Sequence, residues 1–296
     1  MTGIICLDKP GGMSSFLACK KASRLLGVKK AGHTGTLDPM ATGVLVIMLG
    51  HCTRFIELLP EHEKSYTARV RLGITTDTLD ITGKILSDSP VNVTLGELEN
   101  AAEQFRGEIL QTPPMYSAIK KDGERLYDLA RKGIETERES RKVTIKSLEI
   151  RNFDGTEFTV DVTCSAGTYI RSLCDDLGKA LGCGAVMTEL RRTKANGFSI
   201  ENAVTLVELE GLVNENRADT VITSVEKALS AYPEIRVSEP QAKRFHNGGS
   251  LSCERLKGNF DAGIYRVYSP DSKLLGLGEI DGEKTELAVR RVLIDE

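Results

Sequence analysis

In KSYTARVRLG, Tyr66, Ala68, Val70 and Leu72 alternate with Ser65, Thr67, Arg69 and Arg71. A period of two over that length predicts a half-buried strand with a cationic outer face. GVLVIML, from Gly43, has no polar position at all and predicts a strand buried on both faces. Ahead of it, GIICLD is a short apolar strand and KPGG a turn. SSFLACKKASRLLG then predicts a helix with Ser14 or Ser15 as N-cap and Gly27 as its stop. Thr94 and Glu97 have capping-box spacing and open a helix that Gly107 closes. QTPPMYSAIKKDGERLYDLARKG gives a short strand after two prolines, a KDG turn and a basic helix stopped by Gly133. VTIKSLEIRNF and EFTVDVTC are two more strands. SAGTYIRSLCDDLGKALGCG is a turn feeding a helix of about four turns, with Leu173, Leu177 and Leu181 on one face. AVMTELRRTKANGFS is again a strand.

Strand runs joined by single helices, without steady βαβ alternation, imply an α+β protein with a mixed, largely antiparallel central sheet. The acidic stretch from Glu201 to about Ser230 reads as helical and bridging. From Glu234 the character changes: a short helix around Gln241 to Phe245, then GIYRVYS, KLLGLGEI and ELAVRRVL as closely spaced strands. This predicts a main domain over 1–232 and a small β-rich module over 233–296.

Composition narrows the class. With 40% hydrophobic and 27% charged residues of both signs, the chain reads as an ordinary soluble globular protein. No apolar run approaches the roughly 18–20 residues that span a bilayer, and MTGIICLDKP lacks the basic and apolar regions of an export signal. The seven cysteines form no CxxC pair and are odd in number, which suits reduced, packed thiols in a cytoplasm. His51 and Cys52 are adjacent, and adjacent side chains diverge, so no metal site is expected. The net charge of −3 does not suggest a polyanion partner, but its distribution does: residues 201–296 carry −5 and residues 1–200 carry +2. Cations gather at Lys20, Lys21, Arg24, Lys29 and Lys30, again from Lys120 to Lys132, and at Arg191, Arg192 and Lys194. Each cluster alone reads as a solvated face; several in one domain favour a nucleic acid.

One stretch raises a chemical question. In AGHTGTLDPMATGVLVIMLG a turn-rich segment delivers a single acid, Asp38, into a run of aliphatics. Pro39 pushes Asp38 toward an extended backbone, and Gly35 and Gly43 can supply positive φ or close backbone approach. The residues alone leave two readings open, a tight structural turn or a nucleophile held in place. Other chemistries fail on their motifs: the chain has no GxxxxGK[ST] loop, no GxSxG elbow and no GxGxxG after a strand.

GHTGTLDPMATGVLVIMLG resembles the signature of the TruB family, bacterial enzymes that make pseudouridine 55 in the T-loop of tRNA. DKPGGMSS, KSYTARVRLGITTDTLDITG, PPMYSAIKKDGERLYDLARKG and CSAGTYIRSLCDDLGKALGCGAVMTELRR resemble further blocks of that family, in family order, across nearly all of residues 1–200. The resemblance implies a pseudouridine synthase fold, with the C-terminal module similar in position and strand content to a PUA-like RNA-binding domain. It implies that Asp38 is the catalytic aspartate, attacking either uracil C6 or the glycosidic C1′, and that Arg171 pairs with it and keeps it charged. Tyr66 matches the tyrosine that stacks on the target base and moves the C5 proton. Asp80 and Tyr169 match substrate-binding positions, with turn capping the alternative for Asp80. Lys9 matches a supporting lysine near the site, and Leu190 an apolar residue lining the uracil pocket or simply packed in the core. His33 matches the histidine that fills the space left by a flipped base. The segment from about 112 to 141 corresponds to an RNA-gripping insertion in which Lys120, Lys121, Arg125 and Arg131 meet phosphates. The implied partner is the T stem-loop of tRNA, with no cofactor, metal, membrane or obligate protein partner, and a monomeric state. Two rivals remain at this point. A guide-RNA-dependent relative would be expected to carry basic tails, where this chain begins near its first strand and ends acidic. A tRNA-binding folding factor would owe little to its chemistry.

Overall fold

The structure, a computed structural model, describes residues 1–121, 123–283 and 285–293. Asp122 of the KDG turn and residues 294–296 of the C-terminal module lie outside them. Strand β1 (Gly3–Lys9) leads into helix α1 (Ser15–Leu25), where the Ser14 hydroxyl caps by accepting from the Leu17 N–H. Strands β2 (Ala31–His33) and β3 (Thr42–Leu49) flank the Asp38 turn, and a 3₁₀ helix over Gly50–Leu58 leads on to β4 (Lys64–Leu72). The hairpin of β5 (Ile74–Thr76) and β6 (Ile85–Asp88) precedes α2 (Leu95–Glu103) and β7 (Gly107–Gln111). An excursion then carries β8 (Lys120–Lys121), β9 (Glu124–Arg125) and α3 (Leu126–Arg131) before β10 (Arg141–Arg151) and β11 (Glu157–Cys164). The main domain closes with α4 (Ile170–Ala180), β12 (Ala185–Ala195), β13 (Phe198–Ser199), α5 (Leu206–Asn214), β14 (Ile222–Thr223) and α6 (Val225–Ala228).

Among the described residues the large sheet runs β14-β1-β3-β12-β4-β11-β10-β7, with β2 added on β3 and β13 on β12. Its pairings are antiparallel except at one seam: β12 runs parallel to β3, with Arg191 opposite Thr42 and Arg192 opposite Gly43. This is the mixed, largely antiparallel sheet expected from the strand pattern. Core packing explains why β3 shows no alternation. Val44, Val46 and Met48 face one apolar cluster with Phe55, while Leu45, Ile47 and Leu49 face another with Ala18, Cys19 and Ala22 of α1. In β4, by contrast, only Tyr66, Ala68, Val70 and Leu72 turn inward, against Leu173 and Leu177 of α4.

Four local readings change. Helix α2 ends at Glu103, three residues of turn follow, and Gly107 opens β7 instead of closing the helix. Helix α4 has 11 residues, about three turns. The acidic stretch is not only helical: β14 pairs with β1 at the sheet edge. Gly35 takes no positive φ, and a methyl there would meet the Lys64 Nζ only at an ordinary 3.5 Å. Gly43 does what was expected of it, with φ +100° and its Cα against the Arg192 backbone, where any side chain would overlap the Arg192 carbonyl.

The C-terminal residues form a second sheet. Strands β15 (Glu234–Arg236), β16 (Leu251–Ser252), β17 (Gly263–Tyr268), β18 (Leu274–Ile280) and β19 (Glu286–Val292) pair in the order β15-β17-β18-β19-β16, with α7 (Glu239–His246) laid on them. Ile235, Phe245, Val267 and Leu287 make its own core, but Tyr268, Leu274 and Leu277 pack with Ile4, Val44 and Leu229 of the main domain.

Candidate active site

The turn between β2 and β3 is clamped from four sides. Lys9 is fully buried, and its Nζ donates to the carbonyls of Pro10 (2.8 Å), Met13 (2.6 Å) and Pro39 (3.3 Å). Ser15, also buried, bonds the Leu37 amide (2.8 Å) and carbonyl (3.0 Å) through its hydroxyl. Thr34 donates to Asn196 Oδ1 at 2.6 Å. Arg192 reaches the carbonyls of Gly35 (3.1 Å) and Thr36 (3.5 Å) while its Nε holds Val44 (2.7 Å). These bonds fix the backbone on both sides of Asp38, so the carboxylate projects from a rigid support.

Asp38 meets Arg171 side by side: Nε to Oδ2 at 2.8 Å and Nη2 to Oδ1 at 3.2 Å. This fork-to-fork geometry is the strong form of the pair. Arg171 is not the surface charge that a helix position alone could suggest. It is buried at the start of α4, and it also donates to Thr78 O (2.9 Å) and Tyr116 O (2.8 Å). Asp80, buried in the hairpin turn, accepts from the Thr78 hydroxyl (2.9 Å) and from the Thr82 amide (3.0 Å), and its other oxygen lies 3.9 Å from Arg171. It therefore both caps its turn and presents a second carboxylate to the same guanidinium. Burial pushes the Asp38 carboxyl above its ordinary value; Arg171 opposes this, Asp80 adds to it, and Lys9 opposes it weakly.

Around this pair, Tyr66 and Leu190 are buried and stand on adjacent strands, Leu190 opposite Ala68 and Arg192 opposite Tyr66. Tyr169 precedes the first residue of α4, its amide donating to Gln111 Oε1 (2.7 Å) and its carbonyl accepting from Gln111 Nε2 (3.0 Å). His33 ends β2 with its Nδ1 buried and unpartnered, and burial holds its imidazole below the usual range, with Arg192 acting the same way. Lys9 is the exception among the expected contact residues, because its ammonium is occupied by three carbonyls and reaches no open surface.

The excursion leaves the sheet at Gln111 and returns at Arg141, which pair directly, and the Thr112 and Ser140 hydroxyls meet at 2.9 Å across its base. Ser172 on α4 donates to Thr112 O at 3.2 Å, so the excursion rises from beside Arg171. Lys120, Lys121, Arg125 and Arg131 are all exposed. The two arginines flank the Tyr127 ring at 5.9 and 5.4 Å, and Lys121 is tied to Thr136 and the Glu137 carbonyl. Sequence reasoning missed Gln111, Ser15 and Arg192. Strand alternation with Leu190 was the available signal for Arg192.

A clamped aspartate at the parallel seam of a mixed sheet, forked onto a buried arginine beside an inward tyrosine, is the arrangement of a pseudouridine synthase. Comparison with known proteins agrees. Residues 23–170 match the TruB family pseudouridylate synthase (N terminal domain), 171–230 the tRNA pseudouridylate synthase B C-terminal domain, and 233–293 the Pseudouridine synthase II TruB, C-terminal. The chain is similar to tRNA pseudouridine synthase B of Aromatoleum aromaticum, 46% identical over 96% of this chain and 90% of that protein. It is equally similar to that of Clostridium tetani, 46% identical over 94% and 96%. Among solved structures, a chain from a Cbf5-Nop10-Gar1 complex superposes with TM-score 0.75 at 27% identity, covering 99% of this chain and 84% of that one. The chain belongs to the TruB family of pseudouridylate synthases.

Proposed function

We propose that the protein isomerises uridine to pseudouridine at position 55 in the T-loop of tRNA, as a cytoplasmic monomer that needs no cofactor and no obligate protein partner. The observation that carries this reading is the Asp38–Arg171 fork held on a clamped turn, together with full-length similarity to curated tRNA pseudouridine synthase B proteins. The target nucleotide is flipped out of the loop, because neither C6 nor C1′ is reachable in a stacked base. His33 fills the space it leaves. Tyr66 and Leu190 form the walls of the uracil pocket, with Tyr169 and Asp80 completing the substrate contacts. Ionised Asp38 attacks C6 or C1′, the glycosidic bond to N1 breaks, and C1′ joins C5. Tyr66 then takes the C5 proton. Lys120, Lys121, Arg125 and Arg131 on the excursion contact phosphates and set affinity more than sequence choice. Residues 1–232 make the catalytic domain and 233–296 a PUA-like RNA-binding domain.

Two other readings were open, a guide-RNA-dependent subunit and a tRNA folding factor. The solved neighbours include H/ACA RNP proteins, yet the higher identity and matching length of the tRNA pseudouridine synthase B relatives favour a stand-alone enzyme. The test is tritium release from an unmodified tRNA transcript carrying 5-tritiated uridine. Release of one equivalent per tRNA by the wild type and none by Asp38→Ala is expected. If neither protein releases tritium while both bind tRNA, the enzyme reading gives way to the folding factor or to a missing guide.

A further inference from the structure

At the end of β7 the usual order of burial is reversed: Leu110 is 69% exposed and Gln111 only 2%. A buried amide is costly unless both of its ends are bonded. Gln111 directs both to the main chain of one residue, accepting from the Tyr169 N–H at 2.7 Å and donating to the Tyr169 carbonyl at 3.0 Å. Tyr169 is the N-cap of α4, and its own side chain makes no capping bond. The glutamine therefore fixes where the first turn of that helix begins. This turn carries Arg171, whose guanidinium forks onto Asp38 at 2.8 and 3.2 Å and also takes the Thr78 and Tyr116 carbonyls. Those acceptors hold the head of the arginine, while Gln111 holds the backbone from which it grows. Ser172 is a second stitch between the same two segments, donating to the Thr112 carbonyl at 3.2 Å.

We propose that Gln111 is a positioning residue that sets the start of α4 and so aims the Arg171 guanidinium at Asp38. The inference rests on the reading of Asp38 as the nucleophile, although the placement itself belongs to the free protein. Three charged groups act on the Asp38 carboxyl: Arg171 from α4 lowers it, Asp80 from the β5–β6 hairpin raises it, and Lys9 from β1 lowers it weakly. Asp80 is fixed by Thr78 and Thr82, and Lys9 by the Pro10, Met13 and Pro39 carbonyls, so neither depends on Gln111. Loosening the start of α4 therefore weakens the arginine's influence and leaves the other two in place. A charge-assisted fork is sensitive to both distance and angle, so the carboxyl then rises toward the value that burial favours. Both bonds of Gln111 end on Tyr169, and its effect on Asp38 passes through α4 alone.

Two measurements test this on wild type, Gln111→Met, Gln111→Asn, Arg171→Met and the Gln111→Met/Arg171→Met double variant, each checked for folding by circular dichroism and thermal melting. The first is the titration of Asp38 in the RNA-free protein, followed by carboxyl-carbon NMR on aspartate-labelled protein and assigned with Asp38→Asn. Gln111→Met, close to glutamine in length but without its donor and acceptor, is expected to raise the Asp38 pKa by roughly 0.5–1, and by less than Arg171→Met does. The second is single-turnover conversion of tRNA at saturating enzyme. Gln111→Met is expected to be slower on the order of 10-fold at neutral pH and to recover as pH rises, with tRNA Kd within about threefold of wild type. In the Arg171→Met background it should add little further loss, because the two act as a unit. Gln111→Asn, whose shorter amide cannot span both Tyr169 groups, should shift the same way and carries the test if Gln111→Met does not fold. An Asp38 titration unchanged in the folded variants, or a rate loss fully additive with Arg171→Met, would overturn the proposal. So would a Kd that rises as much as the rate falls, which would make Gln111 part of the RNA grip. A wild type that converts no tRNA would sink the enzymatic reading and leave the Asp38 titration to decide the role of Gln111.

Discussion

Arg171 and Asp80 act on Asp38 in opposite directions while burial favours its neutral form. If Asp38 is the nucleophile, as proposed, it must be ionised, and the acidic limb of the rate profile reports this balance. Removing the arginine takes away the largest influence that lowers the carboxyl, so the limb moves to higher pH. Arg171→Met is expected to lower the single-turnover rate on the order of 10²–10³-fold at neutral pH and to recover partly as pH rises; a loss independent of pH would show that Arg171 does not serve the ionisation. Lys9 gives the alkaline counterpart. Burial brings its ammonium down to about 8, and losing a proton there leaves two N–H groups for three carbonyls. The wild-type rate is expected to fall above that pH as the hold on Pro39 weakens, and Lys9→Met to be slower throughout with that limb gone. An unchanged limb in the variant would remove Lys9 from the clamp. At this scale the site was partly legible. Asp38, Tyr66 and Arg171 stand in motifs, whereas Arg192 sits between half-buried Arg191 and exposed Lys194 in a cluster that reads as solvated surface. Only the inward alternation of β12, shared with buried Leu190, marks Arg192 as different.

The elements explain where that alternation comes from and what breaks if it is disturbed. The β3–β12 seam brings Gly43 against Arg192 with φ +100°, a conformation and an approach that exclude a side chain. Gly43→Ala is therefore expected to destabilise the protein by roughly 1–3 kcal/mol, visible as a lower melting temperature, and to slow catalysis by displacing Arg192 from the Gly35 and Thr36 carbonyls of the turn that carries Asp38. A melting temperature equal to the wild type would mean the seam can open at no cost. The excursion between β7 and β10 makes a separate prediction, since its exposed cations touch no part of the Asp38 cluster. Replacing Lys120, Lys121, Arg125 and Arg131 with alanine should weaken tRNA binding and flatten the salt dependence by about one unit of slope for each phosphate no longer neutralised, while single-turnover rate at saturation stays close to wild type. An unchanged salt slope would place the RNA elsewhere. Strands with a clear period of two and helices with capping boxes were readable in the chain. The two-residue strand β14 was not, because only its partner β1, far away in sequence, makes it a strand. Gly107 misled for a related reason: its positive φ serves a turn that begins a strand, and glycine alone does not say which side of it is regular.

At the scale of the whole molecule the change of character near Glu234 was legible, but the coupling of the two sheets was not. The C-terminal sheet contributes Tyr268, Leu274 and Leu277 to the apolar cluster that also holds Ile4, Val44, Val46 and Leu229. The Tyr268 hydroxyl donates to Glu226 Oε1 at 2.8 Å, and Arg266 Nε to the Tyr232 carbonyl at 2.8 Å. Side chains from opposite ends of the chain thus complete one core, which no local pattern could reveal. The cluster lies against the face of β3 that shares residues with the seam beside Arg192, so the C-terminal sheet supports the catalytic turn at one remove. Deleting residues 234–296 should consequently do two things at once: weaken tRNA binding, if the module grips RNA, and lower the melting temperature by baring Val44, Val46 and Leu229. These effects separate on temperature. Well below the truncated protein's melting point, single-turnover rate at saturating enzyme is expected to remain within about tenfold of wild type, since every group that meets Asp38 is retained, while Kd rises more than the rate falls. A rate loss larger than the affinity loss at that temperature, with the fold intact by circular dichroism, would mean that the second sheet shapes the active site itself and is not chiefly a handle for RNA.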